Sequence, residues 1–267
     1  MLRTLESRLD IRNDRRQDTR FAFLIAAAEQ YSPTTETLRI LADGEPVEPA
    51  IAVDVDGSRA IRLSSAAERI EIDYRAEIAG LAEPLVPRDV DPMIYTRPSR
   101  YAESDLLGPA VRAEFGRMRD WPLVDAVVDW VHSRIAYLPG SSDHTDGARD
   151  TFLHRKGVCR DFAHLVIAIL RAHDQPARFV AVYAPQLRPM DFHAVVEVLV
   201  DGEWWLVDAT RLAPRERMVR IATGRDAADV AFMSNTLSGA RLRTVRTGAT
   251  TDIEVGDPDH GARVRLR

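Results

Sequence analysis

Alternation of apolar and polar residues dominates the first hundred positions. In RIEIDYRAEI, Arg69 to Ile78, the residues Ile70, Ile72, Tyr74, Ala76 and Ile78 alternate with charged ones. That pattern predicts a strand with one face in a core and the other in water. AIAVDVDGSRAIRLSS holds two shorter alternating runs around Asp56-Gly57, a hairpin signal. FAFLIAAA near residue 21 and ETLRIL near residue 36 read as further strands, separated by the Ser32-Pro33 break. Several short strands with polar turns predict a small sandwich or barrel. No residue cluster within it looks chemical.

The period then changes. Glu83 to Asp105 is rich in proline and polar residues and reads as a linker packed against both halves. Pro122 sits where a first helical turn tolerates it, and Val127, Val128, Trp130, Val131 and Ile135 form an apolar stripe after it. Trp130 is expected in the core. Pro139 to Asp150 is a loop by composition. Phe162, Leu165, Val166, Ile169 and Leu170 recur at i, i+3, i+4, i+7 and i+8, a helix with one buried face. DFHAVVEVLVDGEWWLVDAT, Asp191 to Thr210, reads as two strands joined at Asp201-Gly202. The expected organisation is a β-rich domain over 1–95, a mixed domain over 96–240 and a C-terminal strand or tail over 241–267.

Composition narrows the classes. At 267 residues, with 45% hydrophobic and 29% charged, the chain buries a sizeable core as an ordinary globular protein does. A net charge of -5 argues against an electrostatic grip on nucleic acid or an anionic membrane. The start, MLRTLESRLDIRNDRRQD, lacks the apolar core of a secretory signal, and no run approaches the roughly 18 apolar residues of a spanning helix. A single cysteine excludes an internal disulfide. A reduced, cytoplasmic protein is expected, without nucleic acid or membrane as partner. Oligomeric state is not legible.

That cysteine, Cys159, falls in the first turn of the helix that follows Gly157. Unpaired backbone N–H groups and the positive end of the helix dipole favour a thiolate there, and the thiolate is the nucleophilic form. The alternative, a small buried hydrophobe, stays open on position alone. The hairpin downstream adds to the functional reading. If Asp201-Gly202 is the whole turn, Val200 opposes Glu203, His193 opposes Thr210 and Val195 opposes Asp208. His193 and Asp208 then share a face as diagonal neighbours, roughly 7–8 Å apart, within reach of a carboxylate–imidazole hydrogen bond. Such an aspartate fixes the tautomer and leaves the other nitrogen for the thiol. Glu197 shares that face and is expected as a solvated or hydrogen-bonded carboxylate. Trp204 and Trp205 point to opposite faces, so one of them at most lines a site.

The ordered pieces GVCRDFAH from Gly157, HAVVE from His193 and WLVDAT from Trp205 resemble the transglutaminase-like superfamily. The resemblance reaches back to RPSRYAESD near Arg97 and forward to RIATGRDAADVAF from Arg220. Proline commonly follows the family's aspartate, and here the residue is Ala209. The resemblance implies an α+β fold with a papain-like core, a nucleophile helix packed on an antiparallel sheet, preceded by a small β-rich domain. It implies Cys159 as nucleophile, His193 as general base and acid, and Asp208 as orienter. The implied substrate is a peptide or other amide, within a protein or free, attacked to form an acyl-enzyme that water or an amine resolves. No cofactor and no metal are implied. Hydrolysis and transamidation are not separated by sequence.

The Cys159 N–H is the first expected oxyanion donor; Tyr137, Ser141, Ser142 and Trp121 are candidates for the second, with Tyr137 expected rather to pack at a helix end. Asp161 suits the helix dipole. His164 is expected as a structural histidine, and APQLRPMDF, before His193, as a wall of the substrate groove. Three other classes compete. A non-catalytic protein-binding module on the same fold would be expected to lack a member of the triad. A zinc site finds no i,i+4 pair among His132, His144, His154 and His164. A redox-sensing thiol has no resolving cysteine.

Overall fold

The computed structural model describes residues 1–236, 239–253 and 259–267. The first seven strands are β1 (Leu2–Asn13), β2 (Thr19–Phe23), β3 (Thr35–Ala42), β4 (Glu45–Pro46), β5 (Ala50–Val53), β6 (Arg59–Ser65) and β7 (Arg69–Ala79). Burial alternates along β7, with Ile70, Ile72, Tyr74, Ala76 and Ile78 inside. The β5–β6 hairpin forms around a longer loop than the Asp-Gly pair alone. Asp54 Oδ1 accepts from the N–H groups of Asp56 (2.9 Å) and Ser58 (2.8 Å), and Gly57 takes a φ of 78°. The apolar run after residue 21 is strand only to Phe23. Ile25 to Ala28 stay buried but leave the sheet, and the Ala27 N–H donates to the Tyr74 hydroxyl at 2.9 Å.

Strand β1 had no clear signal in the sequence, because its buried face mixes Leu5, Leu9 and Ile11 with Arg3, Ser7 and Asn13. Arg3 is tolerated inside because its guanidinium donates to the carbonyls of Gly80 and Arg267, both at 2.8 Å.

The stretch expected as a linker contains α1 (Asp91–Ile94) and runs into α2 (Ser104–Phe115). After it come α3 (Asp120–Arg134), β8 (Ala136–Tyr137), α4 (Ala148–His154), β9 (Lys156–Gly157) and α5 (Cys159–Arg171). Strands β10 (Ala177–Tyr183), β11 (Phe192–Val200), β12 (Glu203–Val207), β13 (Val219–Gly224), β14 (Met233–Asn235) and β15 (Ala240–Thr251) complete the order. One sheet runs β15-β1-β7-β3-β4 and a second β14-β2-β6-β5; the third, which carries the site, runs β12-β11-β10-β13. The chain therefore returns to the N-terminal sheets through β14 and β15.

Helix α5 packs on β10 and β11 from one side and on α2, α3 and α4 from others. Every residue from Asp161 to Arg171 is buried, which corrects the expectation of a single buried face. Burial on every side fits a central helix rather than a surface one, and its polar members Asp161, His164 and Arg171 find hydrogen-bond partners there. One apolar cluster continues from Leu5 and Phe23 through Val131 to Leu165 and Val196. The fold is α+β with a papain-like core, a helix on an antiparallel sheet, after a β-rich N-terminal part. Among the described residues, no helix is long and apolar enough to cross a membrane.

A charged knot sits within the third sheet. Glu197 is buried rather than solvated, between Arg178 (Nε to Oε2, 2.8 Å) and Arg220 (Nη2 to Oε1, 2.6 Å). Arg178 also reaches Asp56 Oδ1 at 3.4 Å and lies 4.0 Å over the Trp204 ring. Burial by itself would raise the carboxyl pKa, but the charges of Arg220 and Arg178 and their hydrogen bonds bring it down to about 2.

Candidate active site

The first turn of α5 is set by a close approach. Strand β8 pairs in parallel with β9, and the Leu138 N–H donates to the Gly157 carbonyl at 2.9 Å. Val158 is extended, and its N–H donates to Asp161 Oδ2 at 2.8 Å. This is the acidic half of a capping box, and Val158 offers no acceptor in return. A Cβ on Gly157 would lie 2.6 Å from the Asp161 Cβ, so glycine is required for Asp161 to fold back under the turn. Cys159 is thereby held at the helix start, partly exposed. Arg160 turns away from it: its Nη2 donates to Ser142 Oγ (2.8 Å) and to the Asp143 carbonyl, and its Nε to Asp161 Oδ1 (3.2 Å).

The hairpin has the anticipated register. Asp201 and Gly202 take φ values of 51° and 75°, as a two-residue primed turn requires, and pairing runs from Val200↔Glu203 to Val196↔Val207. Beyond that ladder His193 Nε2 meets Asp208 Oδ2 at 2.8 Å. The other oxygen, Oδ1, accepts from the Thr210 N–H (2.8 Å) and hydroxyl (2.7 Å), which fixes the carboxylate. Because a carboxylate only accepts, the proton is placed on Nε2. Nδ1 is the nitrogen left for the thiol.

Both partners are buried, and burial alone would neutralise them. For His193 burial lowers the pKa. The charge and hydrogen bond of Asp208, followed by the hydrogen bond and charge of Cys159, outweigh it and push the value up to about 10. Asp208 is raised by burial, but the His193 charge and the bonds from His193 and Thr210 leave it below the usual carboxylate range. Cys159 is thus near enough to act on the imidazole, although among the described residues Nδ1 closes no hydrogen bond of ordinary geometry in this conformation.

Of the residues considered as second oxyanion donor, Tyr137 is the one brought to the thiol. Burial and the neighbouring Cys159 charge push its phenol up to about 12, against the hydrogen bond from the Cys159 backbone N–H. The Ser142 hydroxyl is taken by Arg160, and Trp121 packs edge-on against Trp205 at 5.5 Å. The Ser141 hydroxyl is buried with no partner among the described residues. His164 is fully buried, and desolvation, helped by the charges of Arg160 and Arg171, keeps it neutral. Its Nε2 accepts from the Ala227 N–H at 3.1 Å. Neither Trp204 nor Trp205 lines the site, since Trp204 is buried under Arg178 and Tyr95. Among the described residues, no group of three or more His, Cys, Asp or Glu is arranged to hold a metal ion.

Cys159 and His193 line a common cavity of about 480 Å³. Asp191 and Phe192, from the end of APQLRPMDF, form part of its wall. So do Leu24 and the segment around Val230 to Met233, which sequence reasoning missed. Their position depends on β14 pairing with β2, a contact between distant segments that no local pattern signals.

Residues 112–209 match the transglutaminase-like superfamily. The chain is also similar to the crystal structure of a "putative cysteine protease" from Cytophaga hutchinsonii. That similarity is 33% identity with a TM-score of 0.85, covering 97% of this chain and 93% of the other. This chain belongs to the transglutaminase-like superfamily. At the level of that superfamily, the relation supports cysteine-dependent chemistry. Two uncharacterized mycobacterial proteins share part of the same similarity. The one from Mycobacterium leprae is 32% identical over 128 residues, 43% of this chain and 44% of that protein. The one from Mycobacterium tuberculosis is 30% identical over 127 residues, 41% of this chain and 40% of that protein. In both cases the match takes in less than half of the relative's length.

Proposed function

We propose that this transglutaminase-like protein performs amide chemistry through an acyl-enzyme, with Cys159 as nucleophile, His193 as general base and acid, and Asp208 as orienter. One observation carries the reading: a buried imidazole bound at Nε2 by Asp208, with its other nitrogen left for a thiol that shares its cavity. The Cys159 thiol passes its proton to His193 Nδ1, and the sulfur forms a bond to the amide carbon while the carbonyl electrons move onto oxygen. As that oxyanion forms, the Cys159 N–H leaves the Tyr137 oxygen, and both the N–H and the Tyr137 hydroxyl donate to it. With its phenol pushed up to about 12, Tyr137 keeps its proton at neutral pH and can donate it in a hydrogen bond. The intermediate collapses as the carbon–nitrogen bond breaks, and the His193 imidazolium protonates the departing amine. Water then gives a proton to His193, attacks the thioester and releases the acid and the thiolate.

Hydrolysis is the default outcome, because water is always present and a transferase must exclude it. The name of the Cytophaga relative supports the same side of the choice. The substrate is a peptide or other amide, carried on a protein or free. The reading keeps the protein in the reducing cytoplasm, where a lone reactive thiol is preserved.

Acylation by p-nitrophenyl acetate tests it. The expected result is stoichiometric p-nitrophenolate release, with one acetyl group located on Cys159 by mass spectrometry. The His193→Ala variant should be slower by at least about 10²-fold. Acetylation that is absent, or equally fast in His193→Ala, overturns the proposal.

A further inference from the structure

We propose that the cavity beside Cys159 selects an acyl group with a bulky aliphatic or aromatic side chain, rather than a carboxamide such as glutamine's. This rests on the acyl-enzyme reading above and extends it to a substrate class. The cavity is continuous with the two residues assigned to the chemistry, and its volume of about 480 Å³ lies within the range of small-molecule sites. Leu24, Phe179, Phe192, Ile221, Val230 and Phe232 supply its apolar wall.

That wall is built rather than incidental. The Phe192 and Phe232 rings stack with centroids 5.4 Å apart. The Leu24 N–H donates to the Phe232 carbonyl at 3.1 Å, which pins the wall segment to the N-terminal layer. At its other end the segment is tied down by the Ala227 N–H on His164, a histidine held neutral and therefore able to accept. The N-terminal strands thus complete the cavity instead of merely preceding it.

The charged and imidazole side chains of the lining are poorly placed to receive a buried amide. Arg160 is committed to Ser142, Asp143 and Asp161. His144 and Asp191 are exposed. The Tyr101 ring stacks on His164 at 5.2 Å. A carboxamide against Phe192 and Phe232 would lose water without gaining partners, whereas an isobutyl or benzyl group would gain burial.

A series of p-nitrophenyl esters with one leaving group and different acyl arms separates the two proposals. Acetyl is the reference, isocaproyl and hydrocinnamoyl are the apolar arms, and glutaramoyl carries the glutamine-type amide. Acylation of Cys159 should be roughly tenfold or more faster with the apolar arms than with acetyl or glutaramoyl. Phe232→Asp should bring the apolar-to-acetyl ratio towards one, and Phe232→Leu should keep most of it. If acetyl is transferred in a His193-dependent way but the apolar arms gain nothing, or glutaramoyl is fastest, the selectivity fails while the acyl-enzyme reading stands. If acetyl transfer does not depend on His193, both fall together.

Discussion

The Cβ that Gly157 lacks would lie 2.6 Å from the Cβ of Asp161, four residues on and inside the first turn of α5. The absence of a side chain lets Asp161 take the Val158 N–H, and that bond fixes the turn in which Cys159 sits. Gly157→Ala should therefore do two things at once. It should destabilise the fold by about 1–3 kcal/mol through overpacking, and it should slow reactions of Cys159. Denaturant unfolding and thiol labelling on the same sample check this. An alanine variant as stable and as reactive as wild type would mean that the approach is not limiting.

The charge of Asp208 should be visible in the titration of His193. In wild type the imidazolium should persist to about pH 10 when followed by imidazole NMR. In Asp208→Asn, burial is opposed by Cys159 alone, so the transition should move to lower pH. Stability follows with the same sign. The folded value lies above the unfolded value of about 6.5, so the contribution of His193 is complete below that pH. It is lost as pH rises through about 10. The stability advantage of wild type over Asp208→Asn should shrink across that interval.

Tyr137→Phe separates oxyanion stabilisation from thiol reactivity. Alkylation by iodoacetamide displaces iodide at a saturated carbon and develops no oxyanion, whereas acyl transfer does. Loss of the hydroxyl should lower the rate of acyl transfer by about 10²–10³-fold and affect alkylation far less. Equal losses in the two reactions would instead point to a general disturbance of the Cys159 turn.

Glu197 holds Arg178 and Arg220 together inside the sheet that carries His193. Glu197→Ala leaves two buried guanidinium groups without their partner and should cost about 3–5 kcal/mol in denaturant unfolding near neutral pH. The folded-state carboxyl is depressed to about 2. Its stabilisation is therefore present above the unfolded value of about 4.5 and lost as pH falls through about 2. Acid unfolding of wild type should show this loss, and the variant should lack that component. A cost below about 1 kcal/mol would show that the arginines find other partners.

Local patterns in the sequence made much of this site legible. Helical periodicity after Cys159 placed the thiol at a helix start, and Asp201-Gly202 gave the register that brings His193 to Asp208. Both signals act within a few residues. What stayed hidden depends on contacts between distant segments. Strand β1 hid behind Arg3, Ser7 and Asn13, polar residues whose burial only their partners make tolerable. Tyr137, one of four candidates and the one expected to pack at a helix end, is set beside Cys159 by the two-residue pairing of β8 with β9. The apolar wall at Leu24 and Phe232 needed the β2–β14 pairing. Glu197, expected as a solvated or hydrogen-bonded carboxylate, is hydrogen-bonded, but nothing near it in sequence signals its burial between Arg178 and Arg220.

The coupling of Cys159 to His193 is the central claim, and the single thiol makes it directly measurable. The rate of iodoacetamide alkylation should be followed from about pH 4 to pH 10 in wild type and in His193→Ala. Rapid wild-type labelling at the acid end of that range, lost in His193→Ala, is the predicted result. Labelling that is negligible before denaturation, or an ordinary thiol titration indifferent to His193, would contradict the account.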